Sequence, residues 1–393
     1  MREAVIVSAV RTPGGKAPKG VFRDTRPEYL GKLVMEEAIR RAGIKPDAID
    51  DVIWGCATPE QCTGMNTARI TACYAGIPNA VPAVTVNRFC SSGLQAIAFG
   101  AEGILSGRCE VVLAGGVEHM SMIPMGGVVR PNPDILADPE LSGLYCSMGQ
   151  TAENVAARYG VGRQEQDIFA AASHQKAADA TAKGRFREEI VPVPVKTVAL
   201  GRDGQRLEHT SIVSIDEGIR PNTTAESLAR LRPAFTAKGS VTAGNSSQTT
   251  DGAAAALLMS SHRAAVLDLV PMARFVSFAA AGCNPDEMGV GPVFAIPKAL
   301  EKAGLKLQDI GLVELNEAFA SQSIYCMKKL GMDPSIVNVN GGAIALGHPM
   351  GATGAKLTAT LLYEMKRRQV RYGMVTMCIG GGQGAACIFE LCS

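Results

Sequence analysis

Val86-Asn87-Arg88-Phe89-Cys90-Ser91-Ser92-Gly93 is the stretch from which the organisation of this chain can be worked out. The apolar run before it is typical of a buried strand, and the residues after it repeat apolar positions at helical spacing. Cys90 therefore lies at or just before a helix N-terminus, where free N–H groups and the helix dipole favour a thiolate. In α/β proteins a strand, a sharp turn and a helix that begins on a nucleophile present one side chain in a pocket.

A cysteine in this position is also compatible with simple packing, because free cysteines are among the most buried residues. Candidate partners occur near the C-terminus, in Gly347-His348-Pro349-Met350-Gly351 and Cys378-Ile379-Gly380-Gly381-Gly382. A third motif, Asn316-Glu317-Ala318-Phe319-Ala320, follows an apolar run. With the stretch around Cys90 and the opening Arg11-Thr12-Pro13, these motifs span the chain and resemble the thiolase family.

Composition excludes several classes of protein. The 393 residues are enough for two or three domains, and 39 basic against 37 acidic residues argue against nucleic-acid binding. The 11 cysteines are irregularly spaced, without a metal-ligand pattern, so we expect a reducing compartment and no metal. Ala4–Val10 is too short for a signal peptide, and no apolar run predicts membrane insertion. We expect a cytoplasmic protein of bacterial type, or an organellar matrix protein if a targeting peptide is missing.

Strand and helix patterns alternate from residue 1 to about 118 and again after about residue 270. Pro27–Ala42 predicts a helix closed by Gly43, and Ala83–Val86 predicts the strand before Cys90. The later part repeats the earlier one: the segments Ala42–Lys45, Val84–Asn87 and Gly115-Gly116 have counterparts in Ala303–Lys306, Val337–Asn340 and Gly380-Gly381. One repeat across the chain predicts two similar βα halves that bring Cys90 and the C-terminal motifs together.

The resemblance implies an α/β protein with the thiolase fold. That fold has two duplicated βα halves with mixed five-stranded sheets, layered α/β/α/β/α, plus an inserted loop domain. We assign 1–118, completed by about 246–268, to the N-terminal half and 269–393 to the C-terminal half. The inserted loop domain, 119–245, would cover the active site and bind coenzyme A. Its methionines at 119–125 are either core residues or an acyl-chain lining, and its long helices are predicted at 152–159 and 164–183.

The resemblance also implies catalytic roles. Cys90 would be the nucleophile, His348 the base that takes its proton, and Cys378 a second acid or base. The N–H groups of Cys90 and Gly380 would form one oxyanion hole, and His348 with a water held by Asn316 the other. Taken singly, each of these side chains has an ordinary structural explanation.

Coenzyme A would be a substrate, with no separate cofactor. The resemblance implies that Arg220 binds the adenine-phosphate region of coenzyme A, that Thr223 makes a polar contact with it, and that Ser247 contacts its pantetheine arm. Met148 and Phe319 are further candidates for the substrate pocket. The basic residues between 220 and 238 suit phosphates, although a solvated basic loop has the same composition. Neither a P-loop nor a dinucleotide-binding GxGxxG follows the first strand, so ATP and NAD are not expected.

The resemblance favours the degradative branch of the family. Short-chain acetoacetyl-CoA thiolases typically carry His where this chain has Ser147. We therefore expect 3-ketoacyl-CoA to be cleaved with CoA into acetyl-CoA and a shortened acyl-CoA, through an acyl-cysteine, in fatty acid β-oxidation. The alternative is an acetoacetyl-CoA thiolase in the condensing direction.

Two other classes compete with this reading. Decarboxylating ketoacyl synthases and hydroxymethylglutaryl-CoA synthases also use a cysteine but lack the second thiol, here Cys378. An inactive acyl-CoA-binding scaffold is the non-enzyme alternative.

Family analogy implies a homodimer or homotetramer.

His119 is a lesser candidate for the site, whereas the remaining cysteines are expected in packing or at the surface. Three further histidines are expected to be solvated surface residues: His174, His209 and His262.

Overall fold

The strands belong to one large mixed sheet and one separate hairpin. The computed structural model describes residues 2–200 and 205–392. Within these residues the strands are β1 (Ala4–Arg11), β2 (Gly15–Lys16), β3 (Asp51–Gly55), β4 (Ala83–Val86), β5 (Val111–His119), β6 (Val193–Leu200), β7 (Arg206–Val213), β8 (Thr250–Ser260), β9 (Ala273–Gly282), β10 (Leu312–Leu315), β11 (Tyr372–Ile379) and β12 (Gln383–Leu391).

The helices alternate with these strands in both halves of the chain. They are α1 (Pro27–Ala42), α2 (Thr67–Tyr74), α3 (Ser92–Leu105), α4 (Pro133–Ala137), α5 (Met148–Arg158), α6 (Arg163–Ala182), α7 (Ala225–Ala229), α8 (Ser261–Val266), α9 (Gly291–Ala303), α10 (Ala320–Leu330), α11 (Ala343–Leu346) and α12 (Met350–Arg368). Helix α1 and strand β4 have the predicted bounds. Helix α5 begins earlier than predicted, because the Ser147 side chain accepts the Gln150 N–H and caps it.

The sheet shows the duplication directly. Its strand order is β4-β3-β5-β8-β1-β9-β12-β11-β10, and β2 pairs with β8. In the first half β3 and β5 pair in parallel, and β5, β8 and β1 pair antiparallel. The second half repeats this pattern with β10, β11, β12 and β9. The predicted relationship between the halves is therefore confirmed.

Two details differ from a pair of separate five-stranded sheets. The halves join edge to edge, because β1 and β9 pair through Val5 with Arg274 and Ile6 with Ala273. The fifth strand of the second half is reduced to one bridge between Val313 and Val337. Asn338, at φ 45°, ends that pairing, and its side-chain amide instead bonds the N–H and C=O of Leu315. An asparagine in left-handed conformation thus takes the place of an edge strand.

The helices form three layers around the two halves of the sheet. Helices α1 and α2 pack on the outside of the first half, in a core that contains Trp54. Helices α9 and α10 pack on the outside of the second half, in a core that contains Met374. Helices α3 and α12 lie between the halves and share one core with both. This is the predicted α/β/α/β/α layering.

Glycines let the two central helices touch near their N-termini. A Cβ atom on Gly354 of α12 would lie 2.2 Å from the Leu94 backbone nitrogen of α3. A Cβ on Gly93 would lie 2.9 Å from the Gly351 carbonyl oxygen, and one on Gly116 of β5 would lie 2.2 Å from the same oxygen. Real Cβ atoms do not approach backbone this closely, so the contact requires glycine at these positions.

The segment between β5 and β8 holds α4 to α7 and the β6–β7 hairpin. Helix α6 packs its buried face against α10 and α11. Within the described ranges no helix is long and apolar enough to cross a membrane. The boundaries of the inserted domain stay a prediction.

Replacing Gly354 with alanine should destabilise the protein by about 1–3 kcal/mol, the usual cost of overpacking a tight core. The reason is that the new methyl group would force α3 and α12 apart at their closest point. The midpoint of urea unfolding for Gly354→Ala against the unaltered chain measures the effect.

The matched control is Gly103→Ala in α3. There a Cβ meets only the flexible end of the Arg108 side chain. Helix propensity then predicts a change between zero and about 1 kcal/mol in the stabilising direction. Equal stability of the two variants would contradict the packing argument.

Candidate active site

Cys90 lies in a 3₁₀ turn, Phe89–Ser91, at the start of α3. Phe89 has a φ of 43°, in the left-handed region that bulky residues avoid. The Asn87 side chain stabilises this conformation by accepting the Phe89 N–H at 2.8 Å, and the Ser92 hydroxyl donates to the Phe89 carbonyl at 2.6 Å. Backbone strain held by two polar side chains thus fixes the position of the thiol, as expected from the strand–turn–helix pattern.

The environment of Cys90 favours the thiol and not the predicted thiolate. Burial raises the pKa of Cys90 to about 11, although the N–H groups of Gly380 and of Cys90 itself point at the sulfur and oppose the shift. Desolvation therefore outweighs the helix N-terminus. Cys90 consequently needs a base to become a nucleophile at neutral pH.

His348 lies in the loop between α11 and α12 and is buried. Its Nδ1 lies 2.6 Å from the Thr353 hydroxyl oxygen, and that hydroxyl also donates to the Pro349 carbonyl at 3.0 Å. Because the hydroxyl hydrogen is used on Pro349, Nδ1–H is the donor to Thr353, and Nε2 is the unprotonated nitrogen that can accept a hydrogen bond. Burial, with a smaller effect of the Lys356 charge, lowers the pKa of His348 to about 3. The imidazole is therefore neutral and can accept a proton.

Asn316 directly follows β10, and its Nδ2 lies 3.4 Å from Nε2 of His348. Its backbone is fixed at both ends, since its N–H donates to the Thr376 carbonyl and its carbonyl accepts from Gln322. Its Oδ1 atom is buried without a hydrogen-bond partner. An unsatisfied buried oxygen beside the imidazole is an acceptor that a water or substrate group can use.

Cys378 is the second-last residue of β11 and is fully buried. It packs in one cluster with Met148 and Phe319, and a Cβ on Gly380 would lie 3.5 Å from the Met148 sulfur. Burial raises the pKa of Cys378 well above its usual value, and the neighbouring Cys90 sulfur adds to the shift. Two neutral thiols therefore share one apolar site.

The segment 246–249 connects the motifs. Ser246 pairs with Phe319 and Thr249 pairs with His348 in short bridges, while the Ser247 N–H donates to the Ala318 carbonyl at 2.9 Å. The structure thus brings most predicted site residues together. They are Cys90, His348, Cys378, Asn316, Gly380, Ser247, Met148 and Phe319.

Arg220 and Thr223 lie further out on a loop. Arg220 is exposed and Thr223 half-buried, and the Thr223 N–H donates to the Arg220 carbonyl. The loop is nevertheless anchored next to the site, since Gly218 packs against the Ala345 carbonyl. Arg220 and Thr223 therefore belong to the rim, and their contacts with coenzyme A stay a prediction.

The prediction that His174 is a solvated surface residue is wrong. His174 lies on the buried face of α6, and its Nδ1 accepts the Arg220 N–H at 3.2 Å. Burial and the Arg220 charge lower its pKa to about 4. The helical spacing of Ala170, Ser173 and Ala177 around it was the signal for burial. His119 is also buried but bonds the Phe22 carbonyl, which is a structural contact.

Sequence reasoning missed the residues that support the motifs. Glu317 accepts hydrogen bonds from Ser173, Asn338 and the Ile344 N–H, and so ties the Asn316 motif to α6 and to α11. Thr353 orients His348 from five positions further along the chain. Met120 packs against Cys90.

The described residues contain no group of three or more potential ligands that could hold a metal ion.

Family models match nearly the whole chain: the thiolase N-terminal domain over residues 4–262 and the thiolase C-terminal domain over residues 269–391. The chain is 57% identical to the 3-ketoacyl-CoA thiolase of Bacillus subtilis, over 100% of both chains. It is 49% identical to the peroxisomal 3-ketoacyl-CoA thiolase A of Mus musculus, over 99% of this chain and 91% of that protein.

Solved structures give the same result. The acetyl-CoA acetyltransferase of Bacillus anthracis superposes with a TM-score of 0.90 at 41% identity, over 100% of this chain and 99% of that one. Human mitochondrial 3-ketoacyl-CoA thiolase in complex with CoA superposes with a TM-score of 0.88 at 37% identity, over 100% and 98%. With its duplicated sheet, its paired thiols and these matches across its full length, the chain belongs to the thiolase family of acyltransferases.

Proposed function

We propose that this protein is a 3-ketoacyl-CoA thiolase that cleaves 3-ketoacyl-CoA with CoA to acetyl-CoA and a shortened acyl-CoA, as in fatty acid β-oxidation. The observation that carries the proposal is the shared burial of two neutral thiols, Cys90 and Cys378, next to the neutral imidazole of His348. The relatives named 3-ketoacyl-CoA thiolase support the choice of substrate.

In the first half-reaction the Cys90 thiol gives its proton to Nε2 of His348, and the sulfur attacks the 3-keto carbon. The bond between C2 and C3 then breaks, and the acyl group stays on Cys90 as a thioester. The released carbon takes a proton from the Cys378 thiol, so acetyl-CoA leaves and Cys378 is left as a thiolate. Burial makes that thiolate costly, which favours its reprotonation in the next step.

In the second half-reaction the thiol of incoming CoA gives its proton to the Cys378 thiolate. The CoA sulfur attacks the acyl carbon, and Cys90 leaves as a thiolate that recovers its proton from His348. All three groups return to their neutral forms. The same steps in reverse condense two acyl-CoA molecules.

Each half-reaction passes through an intermediate with a negatively charged oxygen, which needs hydrogen-bond donors for its stabilisation. The N–H groups of Cys90 and Gly380, which point at the sulfur, suit the oxygen of the acyl group on Cys90. Nε2 of His348, once protonated, and the Asn316 side chain suit the other oxygen. The rim residues Arg220 and Thr223, with Ser247 nearer the thiols, would hold the nucleotide and pantetheine parts of CoA. A thiolase solved with bound CoA supports CoA as the ligand.

The second candidate function is acetoacetyl-CoA synthesis from two molecules of acetyl-CoA. The similarity to an acetyl-CoA acetyltransferase, at a TM-score of 0.90, favours it. Both reactions use the same catalytic groups, so only the acyl chain length and the direction distinguish them.

The similarity to a bacterial thiolase supports a cytoplasmic location.

We also infer that two copies pair through the N-terminal half. Strand β4 forms one end of the sheet, and its Val84 is 44% exposed. The turns beside it expose Met65 and Phe89, which are 94% and 47% accessible. An unpaired edge strand with apolar neighbours is the kind of surface that a second copy covers.

Thiolysis of 3-ketoacyl-CoA substrates of increasing chain length should extend well beyond acetoacetyl-CoA. Cys90→Ala should lower turnover at least about 10³-fold, because it removes the nucleophile. Cys73→Ala, which alters an exposed cysteine, is the matched control and should stay active. Activity confined to acetoacetyl-CoA would favour the condensing enzyme, and a fully active Cys90→Ala variant would refute the mechanism.

Cys378→Ser should separate the two halves of the chemistry. Acylation of Cys90 by acetyl-CoA should remain measurable, whereas exchange of the acetyl-CoA methyl protons with solvent should fall at least about 10²-fold, the usual range for a general acid or base. Mass spectrometry and NMR measure the two steps. The control is Cys387→Ser, another buried cysteine on the neighbouring strand. Full proton exchange in Cys378→Ser would rule out its assigned role.

Light scattering should show the unaltered protein at twice the mass of one chain, or at a multiple of that mass. Val84→Lys should shift it towards one chain, because a charge on an edge strand opposes pairing. Val270→Lys changes another exposed valine, away from the edge strand, and should leave the mass unchanged. A monomeric unaltered protein would refute the inferred pairing.

A further inference from the structure

A buried lysine lies directly behind the loop that carries His348. Lys356 of α12 is 4% exposed, and its Nζ donates hydrogen bonds to the carbonyls of Leu346 and Gly347, each at 3.0 Å. These carbonyls belong to the last residue of α11 and to the glycine that immediately precedes His348. Gly347 has a φ of 82°, so the chain turns sharply at the point where the ammonium group binds.

The carbonyls need this partner. The end of a helix leaves its last carbonyls without intrahelical donors, and a buried carbonyl without any donor costs about 1–3 kcal/mol. With Lys356 removed, the loop would have to turn these oxygens towards another donor. A turn of the peptide groups next to His348 would displace its ring from Asn316 and from the thiols.

Four further charged groups on the elements around Lys356 influence it. Arg11 of β1 forms two hydrogen bonds with Asp216, at 2.8 and 2.9 Å, and one with Glu189, at 2.5 Å. Glu314 of β10 is buried, and one of its oxygens has no partner. Burial raises the pKa of Glu314 well above its usual value and lowers that of Lys356 to about 8. The cluster around Lys356 thus combines the Arg11 guanidinium with three acidic side chains, those of Asp216, Glu189 and Glu314.

Lys356 also acts on the imidazole through its charge. It is the charged group that, after burial, lowers the pKa of His348. A fixed positive charge favours the neutral form of a nearby imidazole, and a neutral imidazole is the form that can take a proton from Cys90.

We propose that Lys356 is a positioning residue for the thiolase reaction: its buried ammonium group holds the His348 loop by two carbonyls and thereby keeps the imidazole in place between Thr353 and Asn316. This inference takes from the proposed function only the identity of the reaction that His348 assists. Lys356 does not touch the substrate.

The test compares Lys356→Met, Lys356→Arg and the control Lys302→Met. Lys302 lies on α9 and donates to the Phe278 carbonyl of β9, outside the site. Lys356→Met should lower kcat for thiolysis by about 10- to 100-fold, because a displacement of about 1 Å at a catalytic group costs this much. The KM for CoA should change much less. Lys356→Arg keeps the charge and should restore most of kcat, and Lys302→Met should match the unaltered enzyme.

A second readout does not depend on thiolase substrates. The rate of Cys90 alkylation by iodoacetamide, followed against pH, reports whether His348 can take the thiol proton. In Lys356→Met the acid limb of this profile should move to higher pH, since loss of the positive charge lets the imidazole protonate more easily. An unchanged profile together with a kcat within about two-fold of the unaltered value would overturn the proposal.

The unaltered protein supplies a third readout if Lys356→Met fails to fold. The ¹⁵N shifts of His348, assigned by comparison with His348→Asn, should show a neutral ring protonated at Nδ1 down to pH 5. A ring that protonates above pH 6 would overturn the proposal. If the unaltered enzyme cleaves no 3-ketoacyl-CoA, the proposed function fails, whereas the alkylation profiles of the unaltered protein and of Lys356→Met still decide the role of Lys356.

Discussion

The contact between α3 and α12 is the constraint on which the rest of the structure depends. Cys90 lies at the start of one helix and His348 just before the other, so the helices must meet near their N-termini if these side chains are to share a site. Glycine makes that contact possible, because a methyl group on Gly354 would overlap the backbone of α3. The duplicated sheet supplies the scaffold, since each half carries one of the two helices and the halves join at β1 and β9.

Burial decides the protonation of the site. A helix N-terminus stabilises an anion, but the effect is a fraction of that of removing a thiol from water, and the pKa of Cys90 accordingly rises to about 11. The same apolar environment lowers the pKa of His348 and raises that of Cys378. Two weak acids and one weak base are thereby kept neutral together. The protons that the two thiols give up in the first half-reaction return to them in the second, which suits a reaction that runs in both directions.

Much of the fold and of the site could be predicted because short, contiguous stretches of the sequence carry the signals for them. Strand β4 and helix α1 have ordinary patterns and caps, and each catalytic side chain lies among glycines or in a short motif. The supporting network could not be predicted in this way. Glu317, Thr353 and Lys356 act through contacts with residues whose proximity depends on the whole fold. Asn338 shows the same limit, since its sequence repeats that of a strand while its side chain replaces the strand pairing.

The Asn338 side chain, which takes the place of an edge strand, also affects the site. Asn338 bonds Leu315 on one side and the Glu317 carboxylate on the other, so the end of β10 and the start of the next motif are held by one amide. Asn316 lies between these two anchored residues. In the first half the corresponding strand, β4, is complete and runs directly into the Cys90 turn. The two edges of the sheet therefore serve the site differently: one holds the Asn316 amide beside His348, and the other leads into the turn that carries Cys90.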